Sequence, residues 1–128
     1  MEKIVLKKYI RNNYFFTNTN SVFSKGDIVV LFLTDSYDGN FIRQWFANDQ
    51  RKGLDKNRTA LEKKQGTIVF TDIYDDREQK SEFTVSRATF LKILDEWEQA
   101  RSEAREYIVI EVSGDNNVHI YATDEVVN

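Results

Sequence analysis

Clustered carboxylates are the side chains of this chain whose type and spacing could do chemistry. One group falls in a predicted turn and another on the outward side of a predicted helix; together they are Asp72, Asp75, Asp76, Glu78, Asp95, Glu96, Glu98 and Glu103. Hard cations bind where about six or more such oxygens converge. The turn has neither the spacing of a calcium-binding loop nor the glycine that makes its sharp bend. We therefore expect a solvated hairpin without metal, whose carboxylates remain candidates for contacts with a partner's lysines.

The remaining residue types point away from catalysis. His119 is the only histidine and the chain has no cysteine, which excludes thiolate zinc sites and cysteine nucleophiles. The serines lie in no Gly-x-Ser-x-Gly segment, and the five glycines build no phosphate-binding loop. The sequence therefore predicts no enzyme activity and no cofactor, and it places His119 on the surface of a strand.

Charge is distributed unevenly along the chain. The net charge is −3 at pH 7, yet residues 51–64 hold six basic side chains against two acidic ones. From Asp72 to Glu111 the balance reverses, with eleven acidic side chains against six basic ones. A negative surface attracts a basic partner over long range. The second half of the chain is therefore the predicted docking side.

The basic run at residues 51–64 supports an alternative hypothesis. Its lysines and arginines could contact phosphates, and the aromatic residues just before it could stack on bases; these are Tyr37, Phe41, Trp45 and Phe46. The negative net charge and the acidic residues within the run argue against this function. We keep a nucleic-acid-associated regulatory or accessory protein that uses residues 51–64 as the alternative, and rank a nucleic acid below a protein as the expected partner.

Length and composition are typical of a single domain spanning residues 1–128, and the predicted sheet and long helix make its fold class α+β. With 41% hydrophobic residues the chain has the material for one core. The apolar stretch at the start is too short for a signal peptide, and no segment approaches the roughly 20 apolar residues that span a bilayer. A chain without cysteine suits the reducing cytosol. We expect a cytoplasmic protein with no membrane contact.

One long amphipathic helix organises the predicted fold. Apolar residues recur at spacings of three and four, which aligns them as one stripe; they are Phe90, Ile93, Leu94, Trp97, Ala100 and Ala104. Ser86 precedes them as the predicted N-cap. The sequence therefore predicts a helix over about 86–104 that packs on one face of a sheet, with Trp97 in the core.

The predicted sheet is mainly antiparallel and twisted. Its strands are predicted at residues 3–10, 14–17, 28–34, 67–74, 81–85, 106–112 and 118–122. The run 28–34 is almost entirely apolar and rich in β-branched residues, which favours a central buried strand. Residues 41–46 fit a strand or a helix equally well. Residues 48–65 are predicted to be a loop, with at most a short surface helix.

Three segments follow one another as strand, helix and strand, with a phenylalanine and a tryptophan on the helix. They are Gly-Thr-Ile-Val-Phe-Thr-Asp (66–72), Phe-Thr-Val-Ser-Arg-Ala-Thr-Phe-Leu-Lys-Ile-Leu-Asp-Glu-Trp-Glu (83–98) and Tyr-Ile-Val-Ile-Glu (107–111). Together with a closing turn and strand, this arrangement over residues 66–122 resembles the immunity proteins of bacterial polymorphic toxin and contact-dependent growth-inhibition systems.

The resemblance implies an inhibitor that binds and neutralises the C-terminal domain of a cognate toxin by covering its active or substrate-binding surface. Many such toxins are nucleases with a basic substrate face, to which an inhibitor would offer carboxylates and aromatic side chains. The expected contact residues are Asp72, Tyr74, Asp75, Asp76, Glu78, Asp95, Glu96, Glu98, Glu103 and Tyr37. Sheet order and oligomeric state stay open at this point.

Overall fold

A computed structural model describes residues 1–10, 13–16, 25–73 and 82–125. In chain order its elements are β1 (Glu2–Lys8), β2 (Tyr14–Phe16), α1 (Lys25–Thr34), α2 (Gly39–Ala47), β3 (Gly53–Asp55), β4 (Thr59–Lys64), β5 (Thr67–Asp72), β6 (Glu82–Ser86), α3 (Arg87–Glu103), β7 (Tyr107–Val112) and β8 (Val118–Thr123). Every strand pairing among them is antiparallel. The predicted α+β class is confirmed.

The described strands form two four-stranded sheets, where the sequence predicted one. The first has the order β2-β1-β7-β8 and the second the order β3-β4-β5-β6. The pairings of β5 with β6 and of β7 with β8 agree with the two predicted hairpins. Each sheet turns one face inward, so the helices have two surfaces to pack against.

Helix α1 occupies the segment that was predicted to be the central strand. It contacts β1 and β7 of the first sheet and β4, β5 and β6 of the second. Its buried residues include Ile28, Val29, Val30, Phe32 and Leu33. A helix covered on opposite sides by sheets is apolar around most of its circumference and shows little helical period. The prediction of a strand over 28–34 is wrong for this reason.

The first turn of α1 packs closely on β1. The Gly26 amide donates to Glu2 Oε1 at 2.6 Å. A Cβ added at Gly26 would overlap both that oxygen and Ile4 Cδ1. Glycine at this position therefore lets the helix approach the strand.

Residues 39–64 contain a helix and a hairpin. Helix α2 resolves the ambiguity at 41–46, and its N-cap is Asp38, whose carboxylate accepts from the Phe41 amide at 3.1 Å. Strands β3 and β4 replace the loop predicted over 48–65. The inward positions of β4 include Thr59 and Lys63 beside Leu61. Polar residues at inward positions hid the alternation that predicts a strand, so the loop prediction is wrong.

Helix α3 confirms the predicted amphipathic helix. The Ser86 hydroxyl accepts from the Thr89 amide at 3.0 Å, as expected of an N-cap. All predicted stripe residues except the last are buried: Phe90, Ile93, Leu94, Trp97 and Ala100. Ala104 is exposed and ends the helix in the left-handed conformation, with φ 53°. Its placement on the apolar stripe is therefore corrected.

A continuous cluster of buried side chains joins both sheets and helices α1, α2 and α3. Phe90 lies near its centre, with the ring centroids of Phe32, Trp45, Phe46 and Phe70 at 5.5 to 6.2 Å. Within the described ranges, no helix combines the length and apolar character needed to cross a membrane.

Candidate protein-binding surface

Helix α2 carries the exposed face on which the candidate site is built. One side of the helix packs on the core. Helical geometry places Phe41 and Arg43 at the two margins of the opposite side, with Asn40 and Gln44 between them. The Phe41 side chain is 47% exposed. A partner lying across α2 would meet both margins.

At one margin, Arg43 links α2 to α3. Its guanidinium donates to Asp95 Oδ1 at 2.7 Å and to Glu98 Oε2 at 2.6 Å. The half-buried Tyr37 hydroxyl donates to the same Glu98 oxygen. The bond to Glu98 raises the pKa of Arg43, while burial and then the bond to Glu98 raise the pKa of Tyr37. The fold thus brings together the predicted contact residues Tyr37, Asp95 and Glu98.

At the other margin, Phe41 forms a wall of an acidic cleft of about 190 Å³. The cleft lies between the α1–α2 connection and the β3–β4 turn, and Asp38, Asp55, Leu54 and Lys56 also line it. Asp38 and Asp55 are exposed. Burial lowers the pKa of the Lys56 ammonium. An exposed aromatic ring therefore stands beside carboxylates that sequence reasoning did not select.

We call this region the α2 surface. It consists of Tyr37, Asp38, Phe41, Arg43, Asp55, Lys56, Asp95 and Glu98. Its carboxylates outnumber its cations by four to two. An aspartate three residues before Phe41 is a sequence pattern typical of a helix N-terminus, and it could have indicated α2. Asp55 reaches this surface only because the β3–β4 hairpin forms, and the residues around it do not indicate this.

Glu96 holds a sheet edge and is not part of the α2 surface. Its Oε1 accepts from the Ile120 amide at 2.7 Å and lies 3.2 Å from His119 Nδ1. Its Oε2 lies 3.2 Å from Lys92 Nζ, and Lys92 also donates to the Val118 carbonyl. These side chains satisfy backbone groups on edge strand β8, which would otherwise be available for pairing with another strand. His119 is exposed on that strand, as predicted.

The other predicted contact residues lie elsewhere. Glu103 pairs with Arg105 at 3.0 Å. Asp72 is 5% exposed, because alternation places it on the inward face of β5 with Ile68 and Phe70. The expectation that Asp72 sits on an exposed turn is wrong. The remaining members of the predicted turn lie outside the described residues: Tyr74, Asp75, Asp76 and Glu78.

The basic run is folded into the β3–β4 hairpin. Lys63 is 8% exposed, and its ammonium donates to the carbonyls of Trp45 at 2.5 Å and Asn48 at 2.7 Å. A cation at the C-terminal end of α2 is favoured by the helix dipole, although burial lowers the pKa of Lys63. Trp45 is itself buried, and its indole N–H donates to the Gly53 carbonyl. Neither Lys63 nor Trp45 is available to a nucleic acid.

Among the residues that the structure describes, no three histidine, aspartate or glutamate side chains are grouped so that they could hold a metal ion.

Comparison of the chain with protein-family models, curated proteins and solved structures finds no match. Function is therefore inferred from the α2 surface and from the resemblance carried by residues 66–122.

Proposed function

We propose that this chain is an immunity protein that binds and neutralises a cognate bacterial toxin domain. A nuclease is the toxin class whose basic substrate face best matches the negative charge of this chain. One observation carries the proposal: Phe41, 47% exposed, stands on a helix with carboxylates along both margins. Complementary charge speeds the encounter with a cationic protein. A large aromatic side chain that becomes buried supplies much of the binding free energy.

Inhibition by such a surface needs no chemistry from the chain itself. A nuclease holds its substrate through lysines and arginines that contact phosphates. Asp38 and Asp55, exposed on one flank of α2, offer carboxylates to the same kind of side chain. A partner bound across α2 would lose access to its substrate because the inhibitor covers the basic face. Added salt should slow the association by screening the charges.

The test is a pull-down from the source cell at low and high salt, combined with growth protection by charge-reversal variants. We expect a basic toxin domain to be recovered, with less recovery at high salt. Replacing Asp38 and Asp55 together by lysine should weaken protection and slow association about ten-fold or more. The matched control replaces Asp115 and Glu125 by lysine, which makes the same charge change at two exposed positions that flank β8 in the first sheet.

Two outcomes would contradict the proposal. If the control pair weakens binding as much as the Asp38 and Asp55 pair, net charge matters and the α2 surface does not dock. If RNA or DNA is recovered in place of a protein, the nucleic-acid hypothesis is favoured.

A third variant, Phe41→Ala, separates the contribution of the aromatic side chain from that of the charges. It should speed dissociation while leaving the association rate nearly unchanged.

A further inference from the structure

The outer face of the first sheet is the side that points away from the core. The core cluster takes alternate residues of β1, β7 and β8, among them Leu6, Ile110 and Ile120. Because side chains alternate between the two faces of a strand, the residues between these form the outer face. In the described part of the chain, none of the apolar residues on this outer face belongs to the core cluster.

The strand register arranges the outer face in rows across β1, β7 and β8. The first row is Lys3, Glu111 and His119. The middle row is Val5, Val109 and Tyr121. The third row begins with Lys7 and Tyr107, and Phe15 of β2 lies beside Lys7. The face therefore has an apolar centre between two rows that carry charge.

The outer face of the second sheet is of the ordinary solvated kind. It carries Thr71, Glu62 and Lys64 around Val69. The first sheet differs, because the Phe15 side chain is 57% exposed. Adjacent exposed apolar side chains mark interaction surfaces. The outer face of the first sheet is therefore suited to a protein partner.

The charges on this face complement those of a second copy of the same face. A twofold axis between two copies, parallel to the strands and midway between β1 and β7, sets β1 of each copy against β7 of the other. Lys3 then faces Glu111 of the second copy, because these two residues share a row. Within one chain the same residues pair at 3.8 Å. The two copies would thus bring together four charges of alternating sign.

The same symmetry matches the remaining rows. Val5 faces Val109 of the second copy, so the middle rows meet as an apolar centre. Lys7 is exposed and faces the Tyr107 ring of the second copy, which suits a cation–π contact. Each of these contacts occurs twice in a twofold dimer. The face is therefore self-complementary in both charge and apolar character.

We propose that the chain forms a dimer in which the outer faces of two first sheets pack against each other. Sheets packed in this way cross at about 30°, which keeps the middle rows in contact. A four-stranded face of six-residue strands covers roughly 20 by 20 Å. The dimer would bury on the order of 1,000 Å² in total, at the low end for specific interfaces. We expect a dissociation constant on the order of 10 µM.

The dimer is independent of the toxin-binding proposal, because none of the residues that form it belongs to the α2 surface. The test is sedimentation equilibrium of the full chain between about 1 and 300 µM, a range that brackets the expected dissociation constant. We expect a reversible equilibrium between monomer and dimer. Lys3→Glu and Glu111→Lys should each weaken the dimer about ten-fold or more, because each sets like charges opposite one another twice. The double variant exchanges the two charges and should restore dimerisation.

The matched control exchanges Glu62 and Lys64. These residues also pair at 3.8 Å, but they lie on the outer face of the second sheet. Their charge reversals, made singly or together, should leave dimerisation unchanged. A further variant, Val5→Lys, places a charge at the centre of the interface and should abolish the dimer. If circular dichroism shows that Val5→Lys does not fold, the charge exchange decides alone.

Three results would overturn the dimer. They are a chain that stays monomeric over the whole concentration range, a dimer that Glu62→Lys weakens as much as Glu111→Lys does, and a charge exchange that does not restore association. Loss of the dimer in Phe41→Ala would place the interface on the α2 surface instead. A monomeric chain that binds a single-stranded oligonucleotide, and loses that binding in Tyr107→Ala, would assign the face to a nucleic acid.

Discussion

Replacing Glu96 by alanine tests whether this side chain stabilises the fold or is available for docking. From the helical pattern, Glu96 and Asp95 were both predicted to lie on the outward side of α3. In the folded chain, Glu96 Oε1 accepts from the Ile120 amide at 2.7 Å, and the Glu96 side chain is only 24% exposed. The Asp95 side chain is 73% exposed, and its carboxylate pairs with Arg43 at 2.7 Å. The two substitutions should therefore have different effects on the free energy of unfolding.

The magnitude follows from the contacts that Glu96→Ala removes. A hydrogen bond to a charged group contributes about 1.5–3 kcal/mol, and partial exposure favours the lower half of that range. The pair with Lys92, one helical turn away, adds about 0.3–0.5 kcal/mol. The higher helix propensity of alanine returns a few tenths, on the order of 0.3 kcal/mol. We expect Glu96→Ala to lower stability by about 1.5–2 kcal/mol, and Asp95→Ala by less than about 0.5 kcal/mol.

Urea unfolding followed by circular dichroism measures both values, and thermal unfolding should show a Tm lower by about 5–8 °C for Glu96→Ala. Glu96→Gln keeps an acceptor for the Ile120 amide, so we expect it to lower the free energy of unfolding by less than half as much as Glu96→Ala does. Sedimentation should show more self-association of Glu96→Ala, because the edge of β8 is uncovered. If the two alanine variants are equally stable, the edge-covering role of Glu96 is refuted.

Two further predictions concern a helix end and a buried hydroxyl. Ala104→Gly should raise stability by about 0.5–1 kcal/mol in urea unfolding, because Ala104 is exposed at φ 53° and glycine adopts that conformation without strain; a loss of stability would contradict this. The pKa of Tyr37 is raised above its ordinary value of 10.0, so the folded state keeps a proton that the unfolded state releases. Stability should therefore fall as the pH rises above about 10, and Tyr37→Phe should flatten that decline in unfolding measured between about pH 9 and 12; equal slopes would exclude the effect.

Elements with one buried and one solvated face could be predicted from the pattern of residues. Helix α3 showed a stripe that included Phe90 and Trp97 behind the N-cap Ser86, and the structure has all three features. Strands β5 to β8 were likewise predicted within one or two residues of their ends where the structure describes them. The physical reason is that one-sided burial imposes a period on the sequence.

Elements that depart from one-sided apolar burial could not be predicted in this way. The residues of α1 are apolar on nearly every side because sheets cover it on opposite sides. In β4 a lysine at position 63 predicted a surface position. Its ammonium is buried because it donates to the Trp45 and Asn48 carbonyls, and these contacts exist only after folding. Local pattern carries no information about a partner that is distant in the chain.

The sequence by itself determined the α+β class, the antiparallel hairpins, the long helix and the absence of cysteine chemistry. It also predicted Tyr37, Asp95 and Glu98 as contact residues, without indicating that they meet. Only the tertiary structure decided that Arg43 links α2 to Asp95 and Glu98, that Tyr37 donates to the same Glu98, and that Glu96 faces β8. Periodicity fixes which side of an element is buried, whereas the packing of α2 against α3 decides which exposed side chains become neighbours.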